Sequence, residues 1–149
     1  MSHLYLNRHL KCVEGCPLGP NGNAKMYQDS KGIWTIGWGW NIQAHGLPMD
    51  ICEELLTRAI ETARRQLIAA FPVLVSLDEV RQDACVELVY NMGIAVVKTF
   101  KNTMLRIEQG EWEAAATGLR QSKWYKDVGM TRAENLINRI LTGHEPSQA

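Results

Sequence analysis

Apolar residues recur every three or four positions over most of the chain beyond residue 48, which is the spacing of one face of an α-helix. The longest run predicts a helix that Asp50 caps and Pro72 ends. Its apolar stripe consists of Ile51, Leu55, Ala59, Ala63, Leu67 and Phe71. The remainder of the chain is predicted to be helical as well.

Capping-box patterns mark the starts of two later helices. They begin at Ser76 and Thr131, each of which has a glutamate three positions further on. The first pattern predicts a helix through Met92, and the second predicts a last helix that stops at Gly143. Two shorter helices, separated by Gly110, are predicted between them.

The first part of the chain has a different pattern. Leucines at positions 4, 6 and 10 predict a short first helix that ends at Gly15. The Gly, Pro and Asn residues of Cys16 to Ala24 predict a loop. From Lys25 to Ile42, bulky residues alternate with small or polar ones around a Ser-Lys-Gly turn, which is typical of a small antiparallel hairpin or meander.

These elements predict an α+β fold, with a small N-terminal antiparallel sheet, a larger helical body and an active-site cleft between them. A chain of 149 residues fits a single domain with a sizeable core. We expect a hairpin-bearing lobe at about residues 15–47 and a helical lobe made of residues 1–14 and 48–149.

Charge and hydropathy exclude several partners. Sixteen Lys and Arg residues balance sixteen Asp and Glu residues, so no net positive charge attracts nucleic acid. No apolar run approaches the length of a membrane anchor. The start of the chain, MSHLYLNRHLKC, lacks the continuous apolar core of a secretory signal, so we expect a cytoplasmic protein.

Few side chains in the sequence suit catalysis. The histidines are scattered, no nucleophilic serine motif occurs, and the four cysteines are expected to be free thiols rather than metal ligands. We therefore expect neither a metal nor another cofactor. Glu14 follows the first helix and Asp29 lies in the hairpin turn, and two carboxyl groups across a groove are what glycoside hydrolysis needs. Taken alone, this pair is one of many that sixteen acidic residues allow.

The order of the residues is more specific than their types. Glu-Gly at 14–15, followed by Y-x-D-x-x-G-x-x-T-I-G-x-G at 27–39, resembles the catalytic signature of phage-type lysozymes, the endolysin family of glycoside hydrolases that cut peptidoglycan. The resemblance continues in family order through YNMG at 90–93, TFKNTMLR at 99–106, W-x-x-A-A at 112–116, SKWY at 122–125, TRAENL at 131–136 and TG at 142–143. It covers nearly the whole chain.

The resemblance implies a role for each motif residue. Glu14 would be the general acid, Asp29 with Thr35 would hold and activate the attacking water, and Arg132 would contact the catalytic glutamate. Contacts to the substrate are implied for Tyr90, Asn91 and Phe100. The bond cut would be the β-1,4 bond between N-acetylmuramic acid and N-acetylglucosamine. Attack by water opposite the departing sugar would invert the anomeric centre.

The family also implies how such an enzyme works in a cell. It would be a monomeric endolysin that stays cytoplasmic until the membrane is permeabilised by a holin or another delivery system, and then lyses the host in the periplasm. Two other hypotheses remain open at this point. The chain could be a lytic transglycosylase that uses the same acid without water, or a peptidoglycan-binding module without activity.

Two features depart from the family pattern. Glu14 and Asp29 are unusually far apart in sequence, which makes residues 16–24 look like an insertion. Trp40 stands where a histidine often follows the T-I-G-x-G motif. Strand alternation would place Trp34, Trp38 and Trp40 on one face and Thr35 on the other. We expect most of these tryptophans to pack in the core, although stacking on sugar rings is the alternative.

Overall fold

The computed structural model of the protein describes residues 3–146. Residues 1–2 and 147–149, which belong to the ends of the predicted domain, lie outside the described residues. The chain divides between Glu53 and Glu54 into two compact units, which we call the N-terminal unit and the C-terminal unit. Each unit is described by itself.

The secondary structure is mainly helical, with one small sheet. The elements are, in chain order, α1 (Leu4–Glu14), β1 (Tyr27–Gln28), β2 (Trp34–Ile36), β3 (Trp40–Asn41), α2 (Ile42–His45), α3 (Met49–Ala70), a 3-10 helix (Pro72–Ser76), α4 (Glu79–Met92), α5 (Ile94–Val97), α6 (Lys101–Glu108), α7 (Trp112–Arg120), α8 (Lys123–Asp127) and α9 (Met130–Thr142). The predicted α+β class is therefore confirmed. The short helices α2, α5 and α8 were not predicted, because four or five residues are too few to show a helical period.

The N-terminal unit contains α1 and the whole sheet. The strands lie in the order β1-β2-β3, and both pairs are antiparallel, which confirms the predicted meander. Thr35 of the central strand lies opposite Tyr27 on one side and Asn41 on the other. The first helix runs from Leu4 to Glu14, as the leucine spacing predicted.

The segment between α1 and β1 is more ordered than the predicted loop. Leu18 and Ala24 form an isolated antiparallel bridge. The backbone N–H of Lys25 donates to the carbonyl of Pro17 at 2.8 Å, next to that bridge. The segment therefore closes on itself with its own backbone hydrogen bonds.

The hydrophobic core lies in the C-terminal unit, among α3, α4, α6, α7 and α9. Its fully buried large side chains are Leu67, Leu74, Leu88, Met104, Ile107, Leu119, Leu136, Ile137, Ile140, Val97 and Cys85. The predicted stripe of α3 is buried at Ala63 and Leu67, whereas Ile51 and Leu55 are 41% and 52% exposed. Only the second half of this long helix therefore packs in the core of the C-terminal unit.

The caps of the helices differ from the sequence prediction. The N-cap of α4 is Asp78, whose carboxylate accepts a hydrogen bond from the backbone N–H of Arg81 at 3.0 Å. Ser76 instead ends the 3-10 helix and donates its hydroxyl to the carbonyl of Val73. The capping-box prediction at Ser76 is wrong because the extra turn of 3-10 helix moves the start of α4 forward along the chain.

The other two predicted caps are also misplaced. The long helix α3 begins at Met49, so Asp50 lies within its first turn instead of capping it. The last helix begins at Met130 after Gly129, which leaves Thr131 inside the helix. Its predicted end at Gly143 is confirmed, since Gly143 adopts the left-handed conformation with φ 69°.

Arg81 joins the start of α4 to the end of α9. Its guanidinium donates at 2.7 and 3.0 Å to the backbone carbonyls of Ile140 and Leu141. These two carbonyls belong to the last turn of α9 and have no partners within the helix. The same group lies 4.2 Å from the ring centre of Trp112. A cation at a helix C-terminus is also favoured by the helix dipole.

A second polar cluster ties together the last three helices. Arg120 donates two hydrogen bonds to the carboxylate of Glu134, both at 2.9 Å, and the hydroxyl of Tyr125 donates a third at 2.9 Å. The hydrogen bonds from Arg120, and to a smaller degree from Tyr125, lower the pKa of Glu134 to about 2.

Among residues 3–146, no helix has both the length and the apolar character needed to cross a membrane.

Candidate active site

Glu14, the predicted acid, is the last residue of α1 and is exposed. Its carboxylate lies against Gly39, in the turn between β2 and β3. A Cβ atom at Gly39 would be 3.1 Å from Oε2 of Glu14 and 3.4 Å from its Cδ. Gly39 also has φ 84°, which L side chains rarely adopt. Only glycine therefore allows this turn to approach the carboxylate so closely.

A second contact joins the same helix end to the same turn. The ammonium group of Lys11 lies 4.7 Å from the ring centre of Trp38. Lys11 precedes Glu14 by three residues, so both side chains leave α1 on the same side. This cation–π contact was missed by the sequence analysis. No spacing in the sequence indicates it, because Lys11 and Trp38 belong to separate segments.

Asp29, the first of the two predicted water-holding residues, organises its own turn. Its Oδ1 accepts hydrogen bonds from the backbone N–H groups of Lys31 and Ile33, at 2.8 and 2.9 Å. Its backbone N–H donates to the carbonyl of Ile33 at 3.0 Å. No described residue donates to Oδ2, so this oxygen is available to another partner.

Thr35, the second of the pair, is 4% exposed in the central strand. Its hydroxyl donates to the carbonyl of Ile33 at 3.0 Å. Ile33 also pairs with Asp29, so its backbone connects the two predicted residues. Because the hydroxyl proton of Thr35 is engaged, its oxygen can act toward a further molecule only as an acceptor.

The tryptophans of the sheet are not core residues. Trp34, Trp38 and Trp40 are 42%, 51% and 43% exposed, so the prediction that most of them pack in the core is wrong. Alternation between Trp34 and Thr35 does occur, but the buried face of this small sheet belongs to Thr35. Trp40 is held locally, by donation from its indole N–H to the carbonyl of Gly46 at 2.7 Å.

In the C-terminal unit, Tyr90 and Arg132 line one groove of about 320 Å³. Arg132 donates to Glu87 at 3.3 Å and to the side-chain oxygen of Asn91 at 2.7 Å. Glu87 also accepts a hydrogen bond from Arg139. These contacts orient Arg132, while its predicted contact with Glu14 stays a prediction.

Asn91 and Phe100, two of the residues predicted to contact substrate, line a second cavity of about 440 Å³. Trp124 lines it as well. The side-chain nitrogen of Asn91 and the indole nitrogen of Trp124 are buried and have no hydrogen-bond acceptor among the described residues. Both atoms are shielded from solvent, so neither is presented on the surface of the cavity. The place of Trp124 beside this cavity was not predicted, although Trp124 lies in the SKWY motif.

No group of three or more His, Cys, Asp or Glu residues among residues 3–146 is arranged to hold a metal ion. All four cysteines are free thiols. Cys12 is exposed near the end of α1, whereas burial raises the pKa of Cys85 in α4 to about 12.

Comparison with known proteins agrees with these motifs. The sequence model of the phage lysozyme family matches residues 12–141. The chain is also similar to a protein of Dictyostelium discoideum described as "Probable T4-type lysozyme 1", with 27% identity over 148 aligned positions that cover 80% of this chain and 86% of the relative. The chain therefore belongs to the phage lysozyme family, whose members are glycoside hydrolases of the muramidase type that act on peptidoglycan.

Proposed function

We propose that this protein hydrolyses the β-1,4 bond between N-acetylmuramic acid and N-acetylglucosamine in peptidoglycan, with inversion at the anomeric carbon. The observation that carries the proposal is the approach of the Glu14 carboxylate to Gly39. It brings the predicted acid to the strand region that also carries Thr35, within one compact unit.

Glu14 acts as the general acid and gives its proton to the oxygen of the departing sugar. Its position supports this role, because Glu14 is the last residue of α1 and its carboxylate lies against Gly39 of the β2–β3 turn. Its exposure leaves the carboxyl group open to the substrate.

Asp29 and Thr35 hold the attacking water. Oδ2 of Asp29 and Oγ1 of Thr35 are both acceptors, since the Thr35 proton is already donated to Ile33. A water that donates one proton to each oxygen would turn its lone pair toward the sugar carbon. Asp29 then takes the proton that the water loses as it attacks.

The remaining predicted residues bind the glycan strand. Asn91 and Phe100 line a cavity of about 440 Å³, which is within the range of volumes typical of small-molecule sites. Phe100 adds an apolar wall to the same cavity. Tyr90 and Arg132 would contact the strand from the neighbouring groove.

Replacing the acid tests the assignment. Glu14→Gln keeps the size of the side chain but cannot donate the proton, so we expect lysis of outer-membrane-permeabilised bacteria to stop while thermal unfolding stays unchanged. Glu61→Gln, at an exposed glutamate of α3, is the control and should lyse at the normal rate. Near-normal lysis by Glu14→Gln would refute the role of Glu14.

The products distinguish hydrolysis from the two rival hypotheses. Mass spectrometry of the released muropeptides should show hydrated reducing ends, and NMR of fresh products should show the α-anomer first. Anhydro ends would identify a lytic transglycosylase instead. Binding to peptidoglycan without any released product would identify a module without activity.

We further propose that the protein is a monomeric endolysin of phage type, which remains in the cytoplasm until a holin or another delivery system permeabilises the membrane. Expression in a Gram-negative host should cause lysis only when a separate membrane-permeabilising protein is supplied. Lysis without it would contradict this mode of access. The mass in solution, from light scattering, tests the monomer.

A further inference from the structure

We propose that Lys11 and Trp38 are positioning residues, whose contact holds the catalytic end of α1 against the β2–β3 turn and thereby fixes the Glu14 carboxyl group. The inference rests on the proposed role of Glu14. Neither residue touches the reacting atoms in this scheme. Their contact and the approach of Glu14 to Gly39 together form what we call the helix–turn clamp.

The geometry of the clamp gives it two points of contact. At one point, the Lys11 ammonium lies 4.7 Å from the ring centre of Trp38. At the other, Oε2 of Glu14 is 3.1 Å from where a Cβ of Gly39 would stand. Lys11 and Glu14 are one helical turn apart, and Trp38 and Gly39 are neighbours. The two contacts therefore join the same end of α1 to the same turn.

The turn needs such an external contact because of its composition. Trp38 lies between Gly37 and Gly39, which have φ angles of 62° and 84°. Two glycines give a backbone many accessible conformations, so the turn is not fixed by its own stereochemistry. The Trp38 side chain is the large group by which the turn can be held, and its ring is the one that Lys11 contacts.

Exposure of the ring does not argue against the contact. Trp38 is 51% exposed, and a cation–π pair at an exposed site is worth about 0.5–1 kcal/mol, which corresponds to roughly a two- to fivefold change in an equilibrium. An exposed ion pair of similar geometry is worth about the same or less. The contact is therefore strong enough to change the fraction of molecules in which Glu14 is aligned.

Misalignment of a general acid lowers the rate of the chemical step more than it weakens substrate binding. We therefore expect Trp38→Leu and Lys11→Met each to lower kcat about two- to fivefold with KM unchanged. Because both variants remove the same contact, the double variant should lose no more than either single one. Each kcat is taken at the plateau of that variant's own pH profile, which separates alignment from the effect of charge.

Conservative variants provide the rescue. Trp38→Phe and Lys11→Arg retain an aromatic face and a cation, so both should keep most of kcat. Arg8→Met is the matched control, because it removes a positive charge from the exposed surface of the same helix without touching the ring. It should keep kcat within about 1.5-fold, which is below the loss expected from breaking the contact.

The experiment uses soluble glycan strands and the full chain. Additive losses in the double variant, or equal losses in Arg8→Met, would overturn the inference. A rise in KM for Trp38→Leu alone would overturn it too, since it would mean that Trp38 stacks on sugar.

An inactive wild type would refute the proposed function instead of the clamp. In that event the wild type, Trp38→Leu, Lys11→Met and the double variant are compared by thermal unfolding. Non-additive changes in Tm then support the contact between Lys11 and Trp38, and additive changes refute it.

Discussion

The tight approach of the β2–β3 turn to the proposed acid leads to a prediction with an internal control. Gly39 and Gly37 belong to the same turn and have φ angles of 84° and 62°. A Cβ at Gly37 would meet no atom within 4 Å, whereas one at Gly39 would meet Glu14. Alanine at either position strains the backbone, but only alanine at position 39 displaces the Glu14 carboxylate.

The magnitudes follow from these two effects. A left-handed conformation costs an alanine about 1–2 kcal/mol, so both variants should lose about that much stability. At 3.1 Å from Oε2 and 3.4 Å from Cδ, the added methyl forces Glu14 to move by a few tenths of an ångström. Since a displacement of about 1 Å can cost roughly a hundredfold in rate, we expect Gly39→Ala to lose about tenfold in kcat beyond any loss in Gly37→Ala.

Two measurements separate the effects. Calorimetry should show similar decreases in Tm, of about 2–8 °C for a chain of this length. Turbidity and kinetic assays on peptidoglycan, at a temperature where both variants are folded, should show the rate loss in Gly39→Ala. Equal activity of the two variants, with both folded, would refute the reasoning.

Three further outcomes test the rest of the molecule. Arg81→Ala should destabilise by about 2–4 kcal/mol because it leaves two helix-end carbonyls unpaired, whereas Arg58→Ala, at an exposed i,i+4 ion pair, should cost about 0.5 kcal/mol or less in urea unfolding. The pKa of Glu134 is lowered from its ordinary value of 4.5 to about 2, so its ionised form stabilises the fold above pH 4.5, and this contribution is lost as the pH falls toward about 2. As this carboxylate is 38% exposed, the loss should be less than about 1 kcal/mol, and Glu134→Gln should remove it from the pH dependence of Tm. A thiol-alkylating reagent at neutral pH should label exposed Cys12 and spare Cys85, whose pKa is about 12; mass spectrometry showing equal labelling would contradict this.

Hydrophobic periodicity predicted the larger elements of this fold well. The helix that ends at Glu14, the meander, the break at Gly110 and the stop at Gly143 all follow from local patterns that few other conformations satisfy. These signals are local, so the sequence alone contains what is needed to recognise them.

Positions that depend on neighbouring elements were predicted less well. A capping box at Ser76 is a valid local pattern, but Ser76 ends the 3-10 helix before α4, so Asp78 caps α4 instead. The prediction that most of the sheet tryptophans pack in the core was wrong for a similar reason. Trp34 is apolar enough for a core, yet a sheet of three short strands buries only the face that carries Thr35.

The candidate site shows the same division. Glu14, Asp29 and Thr35 were predicted as catalytic residues from the order of the motif residues, not from the number of carboxylates in this chain, and these roles stay predictions. The contact of Lys11 with Trp38 and the unpaired indole of Trp124 depend on how separate segments meet, and no spacing in the sequence specifies that.

The two carboxylate oxygens of Asp29 have separate tasks, one structural and one proposed to be catalytic. One carboxylate oxygen closes the turn through Lys31 and Ile33, and the other is the one proposed to take a proton from water. An asparagine retains the first oxygen and replaces the second with an amide nitrogen. Asp29→Asn would thus preserve the hairpin and end the chemistry. Under the proposed mechanism, the exchange of this one oxygen for nitrogen would leave a folded protein that binds the cell wall without muramidase activity.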